Sequence, residues 1–214
     1  MHSSDRDCIL VLIVTGPVGV GKTTIAEEVS RQLSEASVPN AWVDVDLLRT
    51  CYPSPPDDPF HMALGLANLA AVCANYRAAG AERLVLADVV EAPEAVPCYE
   101  EAIPGARITV VRLSACIETL HGRLDGREEG EDLRWHRNRA VELTGIMEST
   151  GVGDLIIRTD GRRPAAIASE ALQRARWWPS DQATDRSKHR PAAPAQPDQA
   201  EASREGQNGN TRQL

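Results

Sequence analysis

Cys8-Ile-Leu-Val-Leu-Ile-Val-Thr15, followed at once by Gly16-Pro-Val-Gly-Val-Gly-Lys-Thr23, is the stretch on which the reading of this chain turns. The apolar run is continuous rather than alternating, which is how a strand buried on both faces reads. An apolar run near an N-terminus can also belong to a signal peptide. This one is short, follows a mixed-charge leader (Asp5, Arg6, Asp7) and has no small-residue cleavage site, so a buried strand is expected. The residues after it fit G-x-x-x-x-G-K-[ST], and the match opens an amphipathic helix carrying Ile25, Ala26, Val29 and Leu33.

That spacing has a direct physical purpose. Glycines allow backbone angles that let successive N–H groups curl around a phosphate, and the helix that follows points its positive end at the same anion. The expected nucleotide cradle is Gly16, Pro17, Val18, Gly19, Val20, Gly21, Lys22, Thr23 and Thr24. Lys22 is placed to reach the β- and γ-phosphates, the Thr23 hydroxyl to ligate magnesium, and Thr24 to bond the α-phosphate. The strand–motif–helix context makes ATP with Mg²⁺ the expected ligand.

Working outward, apolar runs bounded by turn residues recur at Ala41–Val45, Arg83–Asp88, Arg107–Leu113 and Asp154–Thr159. Helical patterns lie between and after them at residues 22–35, 59–79, 116–127, 133–149 and 164–176, with a short helical turn at 93–103 broken at Pro97. On the second helix Leu64, Ala67, Leu69 and Val72 form the expected apolar stripe. Alternating strands and helices imply a parallel sheet with right-handed crossovers, an α/β fold. Residues 1–178 are read as one ATP-binding domain. Residues 179–214 have a single large aliphatic side chain, Leu214, and read as a disordered tail.

Composition narrows the function. The 214 residues are 42% apolar and 25% charged, with a formal charge of −8 that falls entirely outside the neutral tail. An acidic chain with only eight aromatics argues against a nucleic-acid partner, and no run approaches the roughly 18 apolar residues of a membrane span. Five scattered cysteines without a C-x-x-C pair argue against a disulfide framework or structural zinc and favour a cytoplasmic setting. His61, His121 and His136 show no metal-ligand spacing and read as surface or capping residues. Trp42 reads as core, within possible reach of a substrate, and Trp177-Trp178 as a cover for the core edge.

The remaining candidates sit where strands end, which is the ligand rim of a parallel sheet. The second strand runs into Asp44-Val-Asp46-Leu-Leu-Arg49. There Asp46 is expected to orient or deprotonate an acceptor hydroxyl and Arg49 to hold an anionic acceptor, with Asp44 beside them or turned toward magnesium. Capping of the next helical segment is the plainer role for Asp46. The third strand, Leu84-Val-Leu-Ala-Asp88, has Walker B form and makes Asp88 a metal candidate, with Glu91 a weaker substrate-rim candidate. Arg123-Leu-Asp-Gly-Arg-Glu-Glu-Gly130 is read as an Arg-rich lid with Arg123 and Arg127 as its catalytic arms, rather than as a solvated helix face. The Thr159–Arg163 segment falls where adenine is expected to pack.

These segments together resemble the small P-loop kinases that include adenylylsulfate, gluconate, shikimate and chloramphenicol kinases. The resemblance covers residues 8–176 and rests on GPVGVGKTT at 16–24, DVDLLR at 44–49, LVLAD at 84–88 and RLDGRE at 123–128. It implies a P-loop NTPase with five strands in the order 2-3-1-4-5 and transfer of the ATP γ-phosphoryl group to a hydroxyl of a small-molecule substrate. The D-x-D-x-x-R segment is most similar to that of adenylylsulfate kinases. Those enzymes follow it with an arginine-bearing helix, whereas here the stretch is Phe60-His-Met-Ala-Leu-Gly-Leu-Ala-Asn-Leu-Ala-Ala71. The groups that grip a phosphosulfate are absent, so the acceptor stays open. A regulatory or slowly hydrolysing nucleotide-binding protein without an acceptor is the alternative.

Overall fold

A computed structural model of the chain describes residues 8–178 apart from positions 55, 59 and 128. The expected tail at 179–214 lies outside the described residues. Five strands form one parallel sheet: β1 (Ile9–Thr15), β2 (Asn40–Asp44), β3 (Arg83–Ala87), β4 (Ala106–Ser114) and β5 (Leu155–Arg158). Their order is β2-β3-β1-β4-β5, with every neighbouring pair parallel, as the resemblance implies. The helices are α1 (Lys22–Glu35), α2 (Met62–Ala78), α3 (Val96–Ala102), α4 (Ile117–Asp125), α5 (Gly130–Thr150) and α6 (Pro164–Arg174).

The unbroken apolar run of β1 follows from its central place. Leu12 and Val14 pack on one face of the sheet with α1, α4 and α6, through Ile25, Val29, Leu120 and Ile167. Ile9, Val11 and Ile13 point to the other face, where Leu69, Tyr99, Leu143 and Met147 cover them from α2, α3 and α5. A period of two with both faces buried leaves the strand apolar up to its last residue, Thr15, whose buried hydroxyl accepts the Val90 N–H at 2.8 Å.

Two details differ from expectation. Pro97 does not break the helical turn at 93–103. It lies in the first turn of α3, after a 3₁₀ turn at Pro93–Ala95, where its missing N–H has no intrahelical partner to lose. On α2 the buried seam is Gly65, Leu69 and Cys73, while Ala67 is exposed. A glycine stands in that seam because the Arg49 side chain crosses α2 there. A Cβ on Gly65 would come within 2.7 Å of Arg49 Cγ. Among the described residues no helix is long and apolar enough to cross a membrane.

Candidate active site

The C-terminal ends of β1, β2 and β3 open onto a cleft of about 1280 Å³, and most of the rim candidates line it. The β1 end supplies the cradle. Gly16 turns the chain so tightly that a Cβ there would lie 2.6 Å from the Leu113 carbonyl oxygen. Gly21 has φ of 101° and a Cβ there would meet only open space, so the left-handed backbone itself demands glycine. No side chain caps α1 and no acidic residue occupies its first turn. The first N–H groups of α1 are therefore left for an outside acceptor, which is the arrangement an anion fits.

Lys22 at the start of α1 lies in the electrostatic reach of Asp46, Asp88 and Asp44, yet forms no hydrogen bond or ion pair among the described residues. Burial depresses its pKa below the ordinary 10.5, and the three carboxylates oppose that depression only in part. A partly desolvated cation beside uncapped N–H groups suits a polyphosphate. Thr23 donates its hydroxyl to Asp44 Oδ2 at 2.7 Å, so this Thr–Asp pair carries the oxygens best placed to hold magnesium. No cluster of His, Cys, Asp and Glu suited to a metal occurs among the described residues. A hydroxyl with a neighbouring carboxylate nevertheless fits an ion whose other ligands are phosphate oxygens and water.

The β2 end turns directly into a 3₁₀ segment, Val45–Arg49, and the capping there is done by Asp44, not Asp46. Asp44 Oδ1 accepts the Asp46 N–H at 3.1 Å. Asp46 is left free to project into the cleft, where its Oδ1 meets Arg49 Nη1 at 3.3 Å.

The Walker B expectation for Asp88 is corrected. The residue is fully buried and both oxygens are committed. Oδ2 accepts from Arg49 Nη2 at 2.7 Å and from the Tyr99 hydroxyl at 2.5 Å, and Oδ1 accepts from Val89 N–H at 2.7 Å. Burial pushes its carboxyl up while Arg49 acts in the opposite sense. Asp88 thus anchors Arg49 rather than facing a metal, and Asp44 takes the place beside Thr23.

The lid expectation is also corrected for Arg123. It stands on the last turn of α4 and donates to the Val20 carbonyl at 2.9 Å, to Thr159 Oγ1 at 3.1 Å and to the Thr159 carbonyl at 3.1 Å. With these three bonds Arg123 braces the 16–24 loop against the segment after β5 in this structure, rather than reaching out from a lid. Arg127, in the connection between α4 and α5, is exposed, lines the cleft and acts electrostatically on Lys22. The Thr159–Arg163 segment borders this brace. Its Asp160 accepts the Cys116 N–H at 2.9 Å, which ties it to the start of α4.

Several residues at the site escape a sequence reading. His61 is buried rather than exposed, with left-handed backbone, and its Nδ1 donates to the Arg49 carbonyl at 2.6 Å. The cap of α2 is Asp58, which accepts from Met62 N–H at 2.6 Å and Ala63 N–H at 3.0 Å. Tyr99 and Gly65 serve Arg49 from α3 and α2. Phe60, Trp135 and Arg139 line the cleft, and Arg139 is bonded to Glu91 and Glu142. Only Gly65 left a sequence signal, as a lone glycine inside an apolar helical pattern. Trp42 packs against the core and does not line the cleft, and Trp177 is buried in the core.

No family model matches this sequence, and no curated protein matches it. Solved structures do match its fold. The adenylylsulfate (APS) kinase of Mycobacterium tuberculosis, determined with AMPPNP and APS, superposes with a TM-score of 0.54 at 23% identity over 79% of this chain and 98% of that one. A gluconokinase from Sinorhizobium meliloti gives 0.53 at 20% identity over 80% and 94%. The tunicamycin resistance protein of Deinococcus radiodurans gives 0.54 at 19% identity over 78% and 95%. The structural neighbours are small P-loop kinases, and the fold of this chain is theirs.

Proposed function

We propose that this protein is an ATP-dependent phosphotransferase acting on a hydroxyl of a small molecule. The observation that carries the reading is one cleft holding an uncapped helix N-terminus with Lys22 and Thr23 on one wall and Asp46 with Arg49 on another. A fold shared with gluconate, shikimate and APS kinases supports it.

In this reading the N–H groups of the 16–24 cradle and Lys22 hold the triphosphate, Arg123 keeps the cradle in shape, and Arg127 adds positive charge beside the γ-phosphoryl group. Thr23 and Asp44 would hold magnesium, which when bound would neutralise charge on the triphosphate. Asp46 orients the acceptor hydroxyl and receives its proton. As the acceptor oxygen bonds to the γ-phosphorus, the bond from that phosphorus to the β–γ bridging oxygen breaks and ADP departs. His61, Asp88 and Tyr99 position Arg49, which in turn steadies Asp46.

The test is a metabolite-extract screen with purified protein, ATP and magnesium, read by mass spectrometry for phosphorylated products. Lys22→Ala should abolish turnover. Asp46→Asn should keep AMPPNP affinity and slow transfer by about a hundredfold to ten-thousandfold, the usual weight of a general base. Full transfer by Asp46→Asn overturns the role given to it. Slow hydrolysis with no phosphorylated product anywhere in the extract supports a regulatory nucleotide-binding protein instead.

A further inference from the structure

The acceptor end of the cleft has a chemistry of its own. Phe60 is 74% exposed and Trp135 58% exposed, and both line the cleft from different elements, the segment before α2 and the first half of α5. Large rings left in water inside a concavity mark a surface kept for a flat apolar ligand. Met62, 42% exposed, extends the same surface.

The charges point the same way. The two arginines at this end are both consumed by the protein. Arg49 is bonded to Asp88 and Asp46, and Arg139 to Glu91 and Glu142. Four carboxylates line this end (Asp46, Glu91, Glu94 and Glu142), and Glu94 forms no ion pair with any described residue. An anionic acceptor would have to break an existing ion pair to find a cation, against a local excess of negative charge. The cations of the nucleotide wall, Lys22 and Arg127, are engaged by the triphosphate in the reading above.

Resting on that phosphotransferase reading, we infer that the acceptor is an uncharged or cationic alcohol carrying a flat apolar group, and not a sugar acid or a phosphorylated or sulfated compound. The apolar group lies against Trp135 and Phe60, a basic group if present faces Glu94, and the hydroxyl reaches Asp46.

A matched set of probes separates these properties: phenylethanolamine, phenylethanediol and mandelate share a ring and a secondary hydroxyl and differ in charge, with gluconate as an anion lacking the ring. Binding to the full chain is read by saturation-transfer NMR and by tryptophan fluorescence, with and without AMPPNP and magnesium. The expected order is phenylethanolamine, then phenylethanediol, then mandelate, with about tenfold between the cation and the anion from partly screened carboxylates. Trp135→Ala should weaken all three aromatic probes, and Glu94→Gln should lower the preference for the cation alone. Both residues are exposed, so these variants fold. Mandelate or gluconate binding as tightly as the amine, or no binding of any aromatic probe at millimolar concentration, overturns the proposal. AMPPNP affinity, measured by calorimetry on the same sample, tests the phosphotransferase reading separately: its loss sinks that reading whatever the probes do.

Discussion

Replacing Gly65 by alanine should destabilise this protein, although the same change in an ordinary helix interior stabilises by about 1 kcal/mol. Gly65 has helical backbone and no positive φ, so alanine suits its conformation. The obstacle is Arg49, whose Cγ, Nε and Cδ lie 2.7, 3.1 and 3.4 Å from the position of the new Cβ. The stem cannot slide aside freely, because Nη2 is fixed to buried Asp88 at 2.7 Å and the backbone carbonyl is held by His61 at 2.6 Å. Displacing the guanidinium leaves Asp88 buried without its cation, a loss of about 3 kcal/mol at the lower end for broken buried pairs. Set against the helix gain, the net is about 2 kcal/mol of destabilisation, or a Tm lower by about 4–8 °C for a chain of this size. A double-mutant cycle isolates the cause: in an Arg49→Ala background the same Gly65→Ala change should stabilise by about 1 kcal/mol, reversing sign. Urea denaturation of the four proteins measures both steps without any knowledge of the acceptor. A Gly65→Ala protein as stable as the parent, or an unchanged sign in the Arg49→Ala background, refutes the reasoning.

Two further predictions concern the nucleotide wall. Asp44→Asn should raise the magnesium concentration needed for ATP turnover, because Asp44 accepts the Thr23 hydroxyl. Asp88→Asn should leave that requirement unchanged while costing stability, and a magnesium titration at fixed ATP in which Asp88→Asn is the more demanding variant would restore Asp88 as the metal residue. ATP affinity should fall as pH rises, starting below the ordinary lysine value of 10.5, because burial lowers the Lys22 pKa and only its protonated form pairs with phosphate. Binding then favours the charged form, so the complex takes up protons in the alkaline range. Calorimetry in buffers of different ionisation enthalpy detects this, and a Lys22→Arg protein should lose the dependence.

What could be read in the sequence was whatever depends on one short stretch of chain. The strand–loop–helix unit at 8–35 is local, and the continuous apolar runs of β1, β3 and β4 follow from burial on both faces, so the sheet and the glycine-rich turn that opens α1 were legible together. Asp44 and Asp46 were legible as a pair but not in their division of labour. That division depends on the backbone turning into a 3₁₀ segment at Val45, which brings the Asp46 N–H onto Asp44 and releases the Asp46 side chain into the cleft. Asp88 was misread for a similar reason. A strand-terminal aspartate looks the same in sequence whether it faces a metal or an arginine, and the deciding partners, Tyr99 and Arg49, lie 11 and 39 residues away.

The corrected places of Asp88 and Arg123 bear on how the site works as a unit. Both lie where their charge in the sequence suggests direct contact with substrate, Asp88 just after a strand end but fully buried and Arg123 on the cleft wall, and both are spent on other protein groups: Asp88 on Arg49, Arg123 on the Val20 and Thr159 carbonyls. A buried ion pair adds little net stability over an apolar replacement, but it fixes geometry, since each partner tolerates only positions that satisfy the other. Arg49 is held by Asp88, its backbone by His61, and its stem by the missing side chain of Gly65, so Asp46 faces the cleft beside a cation that does not wander. Pre-set direction of that kind matters for phosphoryl transfer, where the protein contributes positioning and charge rather than covalent chemistry. It also bears on the division proposed for the cleft: Lys22 forms no ion pair among the described residues, while Arg49 and Arg139 are paired with the protein's own carboxylates, so that exposed rings and Glu94 are what the proposed acceptor would meet.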